Sequence, residues 1–305
     1  MIRSITVTNY LGDSMKLVLA RPELSGFAIV SVDGLGPAKA DINTIDVSTN
    51  DGAIYNSARL NKRNIVLSCR FVDTLARESV EAIRHKSYKF FPLKRKVRLT
   101  IETDTRTAET EGYVESNEPA IFSKQEGCVI SIVCPYPYFY SAGQGNIAVL
   151  HGIEPTFEFP FSNESLSKNL IEFSSVKQQR EQVITYTGDA EIGVTITISA
   201  IGEASNIVIY NVGTRELMRI DTNKLATLTG SGVVASDEII ISTVKGNKSI
   251  TLLRGGERFN ILNCLDRDAS WFQLVKGDNI FAYTAETGSS NLQFRIESRV
   301  IYEGV

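Results

Sequence analysis

Apolar and polar residues alternate with a period of two along most of this chain, and that pattern predicts strands. In "IVLSCRF", Ile65, Leu67, Cys69 and Phe71 face one way while Val66, Ser68 and Arg70 face the other. Upstream stands Asn50-Asp51-Gly52, a tight-turn signal, because Asn, Asp and Gly tolerate the positive φ that hairpin turns need. Between the turn and the strand runs "YNSARLNKRN", extended by position yet too polar to fill a core. The pattern predicts a hairpin arm over about residues 43–64 with little to bury in its own domain. Asp51, Tyr55, Asn56, Arg59 and Arg63 are its candidate contact residues.

The period changes to three and four over about residues 74–91, where Ala76, Val80, Ile83, Ser87 and Phe90 or Phe91 form one stripe. This predicts a helix, started by Asp73 or Thr74 and stopped by Pro92. Alternation then resumes in "KVRLTIETD", "EGYVESNEPAIFS" and "GCVISIVCPYPYFYS". A helix set among strands predicts an α+β first domain over 1–145, and glycines and polar residues accumulate in "SAGQGNIAVLHGIEP" at its end. From about 156 onward no helix of useful length is predicted. Short strands such as "VTITISA", "NIVIYNV", "EIIISTV" and "SITLLR" alternate with Gly-rich turns. The fold class is therefore mainly β, with a jelly-roll-type antiparallel sandwich over 146–305.

Charge and chemistry narrow the function mainly by exclusion. The net charge is −3, too small to indicate a nucleic-acid or membrane partner. Residues 1–150 hold 18 Lys and Arg against 16 Asp and Glu, and the remainder 14 against 19, so the two surfaces differ in sign. No apolar run approaches the ~18 residues of a membrane span. The N-terminus is polar throughout and does not read as a signal peptide, which places synthesis and folding in a cytoplasm. Cys69, Cys128, Cys134 and Cys264 lack a C-x-x-C pair and read as buried thiols, in preference to zinc ligands or a disulfide. There are two histidines, His85 in the helix and His151 near the boundary, neither beside a nucleophile or metal signature. An enzyme is disfavoured, and no cofactor or metal is expected. "DRDASW" (266–271) lacks the glycine and terminal glutamate of a calcium loop. The basic run Arg84, Lys86, Lys89, Lys94, Arg95, Lys96 and Arg98 reads as a solvated helix end in preference to a phosphate-tracking surface. Trp271, followed by Phe272, Leu274 and Val275, reads as core, with a sugar-stacking platform as the alternative.

A polar extended arm makes physical sense if its backbone pairs outside its own domain, on another copy of the chain. The segments "GLGPAKADINTIDVSTNDGAIYNSARLNKRNIVLSCRF", "YKFFPLKRKVRLTIETDTR", "GYVESNEPAIFSKQEGCVISIVCPYPYFYS" and the terminal "YEGV" resemble, in that order, the distal tail protein family of long-tailed bacteriophages. The likeness continues more loosely through "NKSITLLRGGERFNILNCLDRDASWFQLVKGDNIFAY". The resemblance implies an N-terminal sandwich with a helix and projecting hairpin, and a galectin-like or carbohydrate-module-like C-terminal sandwich. It implies a homo-hexameric ring joining the tail tube protein to the tail tip hub, with a channel that passes DNA without reading its sequence. Receptor-binding proteins are further implied partners, and the virion tail tip is the implied location. The competing expectation is a carbohydrate-binding module acting in host adhesion.

Overall fold

The computed structural model describes residues 1–46, 51–123, 125–143, 145–149, 152–155, 174–177 and 181–305. The chain forms two compact units, Met1–Gln144 with Ile301–Val305, and Gly145–Val300. The expectation that 146–305 form one domain does not hold at its end, because the last five residues return to the first unit.

Strands β1 (Ile2–Thr8), β2 (Ser14–Val18), β3 (Phe27–Asp33), β4 (Ala40–Asp46), β5 (Ala53–Leu60), β6 (Arg63–Phe71), β7 (Lys96–Thr103), β8 (Thr107–Pro119), β9 (Gly127–Cys134) and β10 (Phe139–Ser141) belong to the first unit, with helix α1 (Val80–Phe90). The expected sandwich takes the form of one nine-stranded antiparallel sheet in the order β2-β1-β7-β8-β9-β6-β3. Strand β10 and the C-terminal strand Ile301–Tyr302 pair beside it, off this path. Long β8 serves as the spine, bonded to β7 on one side and to both β9 and β10 on the other. The alternation read from sequence becomes one core in which Ile5, Leu17, Ile65, Leu67, Ile130 and Ile132 are completely buried. Burying each such side chain contributes about 1.5–3 kcal/mol.

Helix α1 is shorter than its predicted 74–91. Ser79 is the N-cap, its hydroxyl accepting the Ala82 N–H at 3.2 Å. The preceding residues take a non-helical path, because Arg77 sits at φ 56° and the Thr74 hydroxyl accepts the Glu78 N–H at 2.9 Å. Ile83, Ser87 and Phe90 are the buried stripe.

Arg63 lies at the root of β6 and only 3% of it is exposed. Its Nε and Nη2 donate to the Pro137 carbonyl at 2.9 and 2.7 Å, and Nη2 donates to Glu303 O at 2.6 Å. Nη1 donates to the carbonyls of Gly34, at 2.6 Å, and Gly36. The guanidinium also lies 4.3 Å from the Phe139 ring centroid. Burial among neutral groups lowers its pKa from the usual arginine value, with the partial offset of Cys134 nearby. At Gly34, φ is +84° and a Cβ would stand 2.0 Å from the Asn64 carbonyl oxygen, so the entry to the arm requires glycine.

The second unit contains β11 (Asn146–Val149), β12 (Gly152–Pro155), β13 (Ser174–Lys177), β14 (Glu181–Tyr186), β15 (Ile192–Gly193), β16 (Thr195–Ala200), β17 (Ser205–Asn211), β18 (Glu216–Ile220), β19 (Glu238–Ser242), β20 (Ser249–Arg254), β21 (Glu257–Asn260), β22 (Gln273–Leu274), β23 (Gly277–Thr287) and β24 (Leu292–Ser298). The C-terminal strand Ile301–Tyr302 is β25. A six-stranded sheet, β11-β24-β16-β19-β20-β21, faces a four-stranded one, β14-β23-β17-β18. Tyr283 of β23 stacks on Phe294 of β24 with centroids 3.9 Å apart, which places the two sheets face to face.

The sequence pattern missed helix α2 (Thr222–Thr229), only eight residues long. Its signals are local: the Asp221 carboxylate accepts the N–H groups of Asn223 and Lys224, and Gly230 ends it at φ 85°. Those hydrogen bonds, led by the one from the Lys224 backbone, hold the Asp221 carboxyl below its ordinary range. Among the described residues no helix is long and apolar enough to cross a membrane.

Phe272, not Trp271, fills the core, fully buried and edge-on to Phe281 at 5.6 Å. Trp271 is half-buried at the surface, with the Lys248 ammonium 5.2 Å from its ring. Phe272→Ala is therefore expected to cost the second unit about 3–5 kcal/mol, and Trp271→Ala markedly less, as read by chemical denaturation. In the first unit, Arg63→Met is expected to cost about 3–5 kcal/mol, because four carbonyls lose a buried charged donor. Exposed Arg59→Met should stay within about 0.5 kcal/mol of the parent. Equal losses at positions 59 and 63 would contradict this assignment.

Candidate assembly surface

Strands β4 and β5 form a two-stranded sheet of their own, projecting between β3 and β6. Cα partners run Ala40↔Leu60, Asp41↔Arg59, Ile42↔Ala58 and Asn43↔Ser57, then Thr44↔Tyr55, Ile45↔Ile54 and Asp46↔Ala53 after a one-residue shift. Directly opposed residues share a face. The shift leaves Asn56 as the extra residue of a bulge on β5, while β4 alternates without interruption and sets the two faces. One side carries Ala40, Ile42, Thr44, Tyr55, Ala58 and Leu60. The other carries Asp41, Asn43, Ile45, Ile54, Ser57 and Arg59.

Every residue of this hairpin is exposed except Leu60, which is half-buried. Ile42, Ile45 and Ile54 leave 64%, 57% and 61% of their surface uncovered. A lone two-stranded hairpin is at best marginally stable in water, and both faces of this one leave isoleucine exposed.

The sequence-predicted contact residues divide unequally. Asp51 lies just before β5, beside Gly52 at φ 93°, and residues 47–50 lie outside the described residues. Tyr55, 64% exposed, and Arg59 lie on opposite faces, Arg59 reaching Asp41 at 3.6 Å. Asn56 occupies the bulge. Arg63 is a correction: it is not part of the arm's contact surface, because all its donors are spent on carbonyls of its own unit. The exposed isoleucines were passed over because "YNSARLNKRN" looks polar as a string. The pairing of Ile45 with Ile54, and of Ile42 with Ala58, comes only from the register.

The basic run is largely met by carboxylates from outside it. Five of its seven cations reach carboxylates: Arg84 to Glu126 at 3.7 Å, Lys86 to Glu78 at 3.3 Å, Lys89 to Asp13 at 2.9 Å, and Lys96 and Arg98 to Glu111 at 2.6 and 2.9 Å. Hydrogen bonding from Lys89 holds the Asp13 carboxyl low, as expected of groups that already have their counter-ions. In "DRDASW", Asp266 faces Arg219 at 3.9 Å and Lys224 at 3.8 Å. It helps line a polar pocket of about 480 Å³ with Asn206, Arg219, Asp221, Thr284 and Glu286. Trp271 does not line this pocket. His85 lies 5.9 Å from Tyr88 on α1, and His151 lies outside the described residues.

Comparison with known proteins agrees with this architecture. Residues 187–297 match the family described as siphovirus-type tail component, C-terminal domain. The whole chain resembles the crystal structure of the Dit (gp 19.1) protein of phage SPP1, described as a paradigm of the hub adsorption apparatus in phages infecting Gram-positive bacteria. The TM-score is 0.62 at 12% identity, covering 97% of this chain and 98% of that one. A chain of the phage P2 baseplate in its activated conformation with Ca matches with a TM-score of 0.50 at 12% identity over the full length of both. No curated protein matches the sequence itself. Residues 187–297 thus match the model of the C-terminal domain of the siphovirus-type tail component family, and the chain along its length shares the β-rich fold of the SPP1 Dit protein.

Proposed function

We propose that this protein is a structural adaptor of a phage tail: a homo-hexameric ring that joins the tail tube protein to the tail tip hub or baseplate. DNA passes its central channel without sequence-specific contact, and the second unit offers the surface for tip or receptor-binding components. Its place is the tail tip of the virion, after synthesis in the bacterial host cytoplasm. The reading involves no catalysis and no cofactor.

The observation that carries it is the arm. Ile42, Ile45 and Ile54 stand exposed across the two faces of a hairpin that buries almost nothing of itself, as an element covered by the next subunit requires. The contact is heterologous, arm of one copy on the body of the next, and such contacts close into rings when the rotation permits. The likeness to the SPP1 hub protein supports the same reading. Obligate interfaces of this kind bury on the order of 2,000–5,000 Å².

Ile42→Asp combined with Ile54→Asp is expected to abolish ring formation while leaving the monomer's stability within about 0.5 kcal/mol, since both side chains are exposed. The measurements are native mass and negative-stain images at high protein concentration, because association follows mass action. Rings of unchanged mass in the double variant would overturn the role of the arm. Replacing His85 and His151 together by Gln is expected to leave particle assembly and infectivity intact. A collapse of either would point to a titratable function that the adaptor reading lacks.

A further inference from the structure

Two of the four free, buried thiols, Cys69 of β6 and Cys128 of β9, are direct Cα partners in the antiparallel ladder. Opposed residues share a face, and both point to the core, with 4% and 3% of their surface exposed. The neighbouring rungs fix the kind of pair. The Phe71 N–H donates to Glu126 O at 2.9 Å, which makes Arg70↔Gly127 a non-hydrogen-bonded rung and Cys69↔Cys128 a hydrogen-bonded one. Cα atoms in such a rung are about 5.5 Å apart, within the roughly 4.4–6.8 Å that disulfides span. Side chains diverge more there than in the alternate rung, so a bond between them carries strain, and strained disulfides are readily reduced.

We propose that Cys69 and Cys128 are a covalent modification site: a cross-strand pair that closes to a disulfide on meeting a small-molecule disulfide and reopens on meeting a thiol. One protein thiolate attacks the oxidant's S–S bond, forming a mixed disulfide and releasing one small thiolate. The second protein thiolate then attacks the protein sulfur of that mixed disulfide and releases the other. Two protein S–H bonds become one S–S bond, and the two electrons and two protons end on two small thiols.

The surroundings set the rate. The neutral Cys128 thiol is held by its hydrogen bond with Cys69, and that bond with burial pushes it far above its ordinary range, so few thiolates exist in the closed state. Reaction therefore waits on opening at this end of the ladder. The pair is the second rung from the end of the β6–β9 pairing, followed only by Arg70↔Gly127. A surface depression of about 270 Å³ lies over the same rungs, lined by Ser68, Cys69, Arg70, Gly127, Cys128 and Val129 among others. Closure would tie β9 covalently to the strand that leads out of the arm. The inference does not depend on the proposed function.

The experiment incubates the full chain with oxidised glutathione, in buffer and in urea below the unfolding transition, then alkylates the denatured protein. Intact mass and peptide mapping are expected to show two alkylated cysteines in place of four, and one linked peptide pair, Cys69 with Cys128. Formation should be faster in urea, and excess reduced glutathione should restore four alkylated thiols. In Cys69→Ala, no intramolecular link should form, and alkylation should find Cys134 and Cys264 free. Four free thiols after oxidation in both conditions would overturn the proposal, as would a link involving Cys134 or Cys264. A mixed disulfide that never closes would do the same. A closed bond that resists excess glutathione would overturn its reversibility.

Discussion

Arg63 brings a positive charge into the base of the first unit, where, among the described residues, no carboxylate pairs with it. Burying an unpaired charge is costly unless hydrogen bonds replace its hydration. Here four backbone carbonyls do so, from Gly34, Gly36, Pro137 and Glu303. Those carbonyls belong to three separate stretches: the entry to the arm, the approach to β10, and the C-terminal tail. One side chain therefore holds together the root of the hairpin and the return of the chain end, and Val305 N–H adds a bond to Leu35 O at 3.0 Å.

That anchorage explains how the arm can project. A hairpin whose isoleucines are exposed on both faces gains little from its own burial, so its direction depends on a fixed base. Gly34 supplies the tight crossing and Arg63 the clamp. The bulge at Asn56 sets Ile54 beside Ile45 on the side opposite Ala58 and Leu60, so each face of the arm carries exposed isoleucine. The sheet below is built for stiffness, with β8 bonded along both edges and a continuous core beneath it.

The second unit solves a different problem, that of closing two sheets over one core. Its buried polar network centres on Arg254, which pairs with the Asp237 carboxylate and also reaches Thr229, Ser231 and Gly232. The Asp237 side chain is 1% exposed, so the pair ties the end of α2 to β19 and β20 through fully engaged groups.

The sequence by itself determined whatever depends on local pattern. Alternation marked β6, β7 and β9, three- and four-residue spacing marked α1, and Asp51-Gly52 marked the turn of the arm. The order of its segments suggested the tail-protein likeness. Tertiary structure decided what depends on partners distant in the chain. Arg63 looks like an arm residue until Glu303 and Pro137 arrive beside it. Trp271 looks like core until packing leaves it half-buried beside Lys248 and gives the interior to Phe272 against Phe281. The last five residues join the first unit by pairing with β10, which no local signal encodes. Cys69 and Cys128 are unremarkable 59 positions apart and become partners only through the register of β6 on β9. Register is set by the fit of a whole sheet, so a string read residue by residue does not contain it.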